Sequence, residues 1–353
     1  MAKSVTVHFA TNREEKGTKN EVTGFGPGLN RLSPILLRYG AAEMVPEPGK
    51  GVAYRVGELR IAAESLPGVT APESADRVLG STSVFDGLRE RLIANKADLL
   101  LLLHGFACTF EEALSNAAEL KTKWSTKEKP LEVAVFCWPA NGTLKPLLDY
   151  VSDRDDGRLS AKAVSRSLRR FIDYMREVAP DQRCDAGVHL VAHSMGNYVL
   201  RNALQALLSD LGGRTLPRIF NNIFLMAADE DSDCFEDTEK LARLSELAEA
   251  IQVYFARNDR ALVISDLTKA NPDRLGATGP RTLTNLPQKV TLVDCTDISA
   301  TSPVSDLNHQ YYRKGAEAIQ DIKYVLAGRR PEDISGRSWV PARYCFRIQK
   351  SGA

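Results

Sequence analysis

The sequence has no excess of charge of either sign. Its 46 basic and 45 acidic residues leave a formal net charge of +1, so no dominant basic field awaits a nucleic-acid backbone or an anionic membrane surface. It also lacks paired cysteines. Six are scattered over 353 residues (Cys108, Cys137, Cys184, Cys234, Cys295 and Cys345), with no CxxC pair and no cysteine–histidine spacing of the zinc type. They read as reduced thiols, and neither a disulfide framework nor a zinc site follows from them. Long apolar runs are missing too: the leucine block Leu99–Leu103 is far too short for a bilayer, and the opening MAKSVTVHFATNREEKG has no signal-type apolar core. The expectation is a cytoplasmic protein acting on something small, with no nucleic-acid partner and no integral membrane segment. Composition says nothing of its oligomeric state.

What is present is an alternation. Short apolar runs, expected as strands, fall at Asp98–Gly105, Leu131–Trp138, Gly187–Ser194, Asn221–Asp229, Ile251–Asp259 and Lys289–Asp294. Most are nearly continuous, as strands covered on both faces should be. Between them Val164, Leu168, Phe171, Ile172 and Met175 recur at helical spacing and mark a crossover helix. The order predicts an α/β fold with a mostly parallel sheet flanked by helices. Upstream, SVTVHFATNR and GVAYRVGELRIAAES read as strands of a more antiparallel part, joined by the connector GFGPGLNRLSP. The expected organisation is a single domain over 1–328, with 1–95 completing the sheet and 96–328 as the core, followed by a surface appendage over 329–353. Two long irregular stretches, 139–160 and 268–288, are expected to form a small rim around a site.

The stretch LVAHSMGNYVL runs from an apolar strand through Ser194 into a helix. Ala192-His193-Ser194-Met195-Gly196 fits the strand–turn–helix elbow G-x-S-x-G with alanine for the first glycine; small flanking residues let strand and helix approach each other. A serine hydroxyl needs a base to take its proton. Of the five histidines, His8 and His189 lie within expected strands, His193 precedes the serine and should point away, and His104 ends a strand. His309, in SDLNHQYYRKG between the last strand and a helix, fits the base. A carboxylate on the same sheet edge must orient that imidazole. Asp259 follows the strand between serine and histidine; Asp229 and Asp231, after the preceding strand, are the alternatives, and Asp259 can also cap the helix that follows. Oxyanion donors are expected from the amides of Met195 and Phe106, with Gly105 allowing close approach. His104, Gly105, Trp138 and His193 are candidate pocket residues. Cys108 reads as a buried filler.

LLLLLHGFACTFEEALSNAAEL, VFCWPANG, HLVAHSMGNYVLRNAL, RNDRAL and NHQYY, in this order, resemble the α/β-hydrolase superfamily, and within it a bacterial family of unknown function. VTVHFATNRE is similar to that family's start, so the resemblance runs from about residue 4 to about 327. It departs at Cys137-Trp138-Pro139, where serine is commoner than cysteine, and before His309, where glycine is commoner. The resemblance implies a three-layer α/β-hydrolase fold, Ser194 as nucleophile, His309 as base, Asp259 as acid, and the Phe106 and Met195 amides as oxyanion hole. The expected function is hydrolysis of a small carboxylic ester through an acyl-enzyme, without metal or organic cofactor. Thioesterase, amidase and acyltransferase chemistry use the same triad; a non-catalytic ligand-binding protein on this fold is the alternative of another class.

Overall fold

The computed structural model describes residues 3–18, 21–47, 53–63, 79–140, 148–178, 184–262, 273–284, 286–298 and 307–350. Five strands come first: β1 (Val5–Thr11), β2 (Arg13–Thr18), β3 (Glu21–Leu29), β4 (Arg38–Pro46) and β5 (Tyr54–Ile61). An alternation follows: α1 (Gly80–Asn95), β6 (Asp98–Leu103), α2 (Phe110–Trp124), β7 (Leu131–Cys137), α3 (Leu148–Glu177), β8 (Val188–His193), α4 (Gly196–Asp210), β9 (Phe220–Met226), β10 (Ala248–Phe255) and β11 (Val290–Asp294). Helix α5 (Ala316–Leu326) and strands β12 (Arg337–Val340) and β13 (Cys345–Ile348) complete it.

The six apolar runs all became strands of one 11-stranded sheet, ordered β12-β13-β11-β10-β9-β8-β6-β7-β1-β4-β5. Pairing is parallel from β1 through β7, β6, β8, β9, β10 and β11 to β13, and antiparallel at both ends. Period-two alternation sends Leu99 and Leu103 of β6 into one core with Leu88, Val164 and Leu204 of α1, α3 and α4. Leu100 and Leu102 face the other core, with Leu114 and Trp124 of α2 and Ile322 of α5. Three layers result, as an α/β-hydrolase fold requires. The chain steps from β6 outward to β7, then crosses back to β8 and continues the other way. That reversal opens a crevice at the carboxyl ends of β6 and β8, where open α/β sheets bind ligands.

Several expectations need correction. Residues after 328 are no surface appendage: β13 pairs with β11 and β12 with β13, because Arg337 is drawn inward to Asp321 of α5, its Nε 2.7 Å from the carboxylate. Much of GFGPGLNRLSP is not connector but β3, paired antiparallel with β2 in a ribbon of its own. Of the rim stretch 139–160, residues 141–147 lie outside the described residues and the rest from Leu148 is the first part of α3, where buried Asp153 and Ser160 supply a polar anchor. Of 268–288, residues 268–272 and 285 lie outside the described residues, while Leu275–Thr278 make a helical turn.

Candidate active site

Ser194 stands immediately after β8, with φ at +52°, in the left-handed region that non-glycine residues seldom occupy. The turn is closed from several sides. The Ser194 N–H donates to the Met226 carbonyl at 3.0 Å, its carbonyl accepts from the Asp229 amide at 3.1 Å, and the Asn197 side-chain amide donates to the Ala192 and Ser194 carbonyls. A Cβ on Gly196 would lie 2.4 Å from the Leu103 carbonyl oxygen, so only glycine lets α4 start this close to β6. A Cβ on Gly105 would lie 3.0 Å from that of Ser194, which brings the loop after β6 up against the serine.

His309 Nδ1 is 2.7 Å from Asp259 Oδ2, so its proton sits toward the carboxylate and Nε2 is left as the accepting nitrogen. The other Asp259 oxygen accepts from the Ala261 and Leu262 amides at 3.1 and 3.3 Å; the carboxylate thus caps the next helical turn and touches the imidazole at once. Asp259 is wholly buried while Ser194 and His309 each keep 8% exposure, the gradient expected from an orienting group to groups that meet a substrate. Burial opposes a charge on His309, yet the Asp259 carboxylate and its hydrogen bond, with Asp229 behind, hold the imidazole above its ordinary value. Burial lowers His8 to about 4, His104 to about 3 and His193 well below its usual range.

The alternative carboxylates are taken elsewhere. Asp229 accepts from the Tyr150 hydroxyl at 2.5 Å and lies 3.5 Å from the Arg274 guanidinium; Asp231 meets Arg274 at 2.5 Å and Lys240 at 3.1 Å. His193 packs its ring 4.8 Å from those of both His309 and Tyr312, so it braces the imidazole. His104 and Trp138 stack at 4.9 Å, and the indole donates to the His104 carbonyl at 2.9 Å. Both are almost fully buried behind the loop; Gly105 and His193 are the candidate pocket residues that reach an open cleft. Among the described residues the Phe106 and Met195 amides have no protein acceptor, whereas the Ala107 amide donates to Asp153 at 3.0 Å. Burial pushes the Cys108 thiol up to about 12, which removes it as a competing thiolate. All six cysteines are unpaired, and among the described residues no group of three or more histidine, cysteine, aspartate or glutamate side chains is arranged to hold a metal.

A family model described as alpha/beta hydrolase of unknown function (DUF900) matches residues 81–330. The chain belongs to this family. A curated relative, uncharacterized protein alr1448 of Nostoc sp. PCC 7120, is 38% identical over 74 residues, which are 21% of this chain and 16% of that protein. The chain therefore matches only a small part of that relative's length. A solved structure described as a cell surface hydrolase of Lactobacillus plantarum WCFS1 aligns over 67% of this chain and 94% of its own at 12% identity, with a TM-score of 0.37. Among the described residues no helix is long and apolar enough to cross a membrane.

Three residues of this hydrolase-family site escaped the sequence reading. Tyr150 and Asp153 fell in a stretch read as irregular loop, although a helical period runs through it. Arg13 follows β1 in HFATNR and carries no local mark of burial; only the tertiary structure encloses it.

Proposed function

We propose that this α/β-hydrolase cleaves a carboxylic ester through an acyl-enzyme. His309 takes the proton of Ser194 as the hydroxyl oxygen attacks the ester carbonyl. The Phe106 and Met195 amides receive the oxyanion, and His309 returns the proton to the departing alcohol. Water, deprotonated by the same imidazole, then releases the acid. Asp259 holds the ring and offsets its charge in the imidazolium form.

The observation that carries this reading is the left-handed Ser194 at the end of β8. Such backbone strain costs about 1–3 kcal/mol and persists where a function requires it; a serine that merely capped α4 would need no such conformation. A cleft of about 410 Å³ opens next to Ser194 rather than on it, where its neighbours Gly105 and His193 meet Phe106, Asn116, Glu119 and Arg313. This mostly polar wall favours an ester with a polar or short substituent over one with a long alkyl chain.

The test is labelling of the purified protein by a fluorophosphonate probe, with Ser194→Ala and His309→Ala beside it. Labelling of the wild type that is lost in both variants supports an activated serine. A folded wild type that stays unlabelled sinks the proposal and turns attention to ligand binding without turnover. Matched ester, thioester and amide substrates then rank the chemistry.

A further inference from the structure

Arg13 is one of the largest fully buried side chains in the protein, at 1% exposure. A buried guanidinium is costly unless its donors are met; here backbone carbonyls meet both terminal nitrogens, while Nε has no partner among the described residues. Nη2 donates to the Cys108 carbonyl at 2.6 Å, and Nη1 to those of Ala140 and Gly26 at 3.2 and 3.3 Å. Arg13 is itself fixed: its amide donates to Thr11 Oγ1, and that hydroxyl donates to the Cys137 carbonyl at 2.7 Å. The preceding Asn12 side chain donates to the Pro34 carbonyl and to Ser160 of α3. A segment outside the family-matched residues 81–330 thus reaches the loops that follow β6 and β7.

The loop after β6 needs such a hold. Ala107 has φ at +50°, a conformation that costs an alanine about 1–2 kcal/mol and lasts only where neighbours over-determine it. Two clamps flank it. On one side its own amide is held by Asp153; on the other the Cys108 carbonyl is held by Arg13. The first clamp holds the peptide plane that enters Ala107 and the second holds the plane that leaves Cys108, so Ala107 is bracketed between two anchored points, with the Phe106 N–H in the peptide just before the first.

We infer that Arg13 is a positioning residue for the oxyanion loop: by gripping the Cys108 carbonyl it keeps Ala107 left-handed and the Phe106 amide aimed at the reacting carbonyl. This rests on the hydrolase reading, with Phe106 as oxyanion donor.

The test uses the full chain and a fluorophosphonate probe, separating the maximal inactivation rate from the half-saturating concentration. Arg13→Met is expected to lower the maximal rate about 100-fold, comparable to losing one oxyanion donor, with the half-saturating concentration changed less than about threefold. Arg13→Lys, which keeps the charge but loses the fork, should lose about tenfold and decides the matter if Arg13→Met does not fold. Adding Ala107→Gly to Arg13→Lys removes the left-handed penalty, so part of the lost rate should return; a merely structural arginine would show no such recovery. Folded Arg13 variants with an unchanged maximal rate, or a loss that Ala107→Gly leaves untouched, overturn the inference while wild-type labelling still upholds the hydrolase. An unlabelled, folded wild type overturns both.

Discussion

At the scale of the residue, the His309–Asp259 pair sets the pH behaviour expected of the protein. A base must be neutral to accept a proton, and Asp259 holds His309 above its ordinary value. Ester turnover should therefore rise with pH through a midpoint above about 6.5. Asp259→Asn removes both the charge and the favoured tautomer. The acid limb should then move to lower pH while kcat falls by about 10³–10⁴-fold, and a pH–rate profile measures both changes. Asp229→Asn, the more distant charge, should move the limb in the same direction but much less. Its cost should instead appear in stability, since Arg274 and Tyr150 would lose a buried partner. An acid limb moved further by Asp229→Asn than by Asp259→Asn would reverse the assignment.

At the scale of the element, the elbow joins β8 to α4 under opposite constraints. Ser194 is the wrong residue for its backbone and Gly196 the right one. Ser194→Gly should abolish activity yet leave the protein as stable as the wild type or about 1 kcal/mol more so. Gly196→Ala should cost about 2–3 kcal/mol, because its methyl would meet the backbone of β6. Urea unfolding of the two variants compares them directly, and a destabilised Ser194→Gly would argue against stored strain. At the sheet edge, Arg337 of β12 is 1% exposed in its side chain and holds both oxygens of Asp321, which also accepts from Tyr254 of β10. Arg337→Leu should lose about 3–5 kcal/mol by leaving that carboxylate buried without its cation. Thermal melts would show it, and an unaltered melt would mean that β12 is only loosely seated.

At the scale of the whole molecule, the sheet's reversal between β6 and β8 gathers the serine turn, the Phe106 loop and the His309 loop at one edge. The cleft there has both charges on its walls, with Arg313 paired to Glu119 at 2.8 Å. Neutral polar esters should therefore be turned over better than alkyl esters of equal acyl group. Initial rates on glycerol and butyl esters of one short acid test this, and a preference for butyl of tenfold or more would place the substrate elsewhere. The near-zero net charge offers no long-range steering for charged substrates.

The layers were legible in the pattern of residues alone, and so was the order in which the candidate serine, aspartates and histidine follow one another along the chain. Apolar runs of strand length and one strong helical period leave few arrangements besides a covered parallel sheet, and a serine between strand and helix is a local pattern. It could not choose among Asp259, Asp229 and Asp231, since all follow strand ends in the same part of the sheet. Only the tertiary structure put Asp259 against His309 and gave the other two to Arg274, Tyr150 and Lys240. It likewise decided that Arg13 faces three carbonyls and that the tail enters the sheet. Those outcomes depend on contacts between residues far apart in the chain, and the burial that gives a charge its influence does not exist until the chain has closed around it.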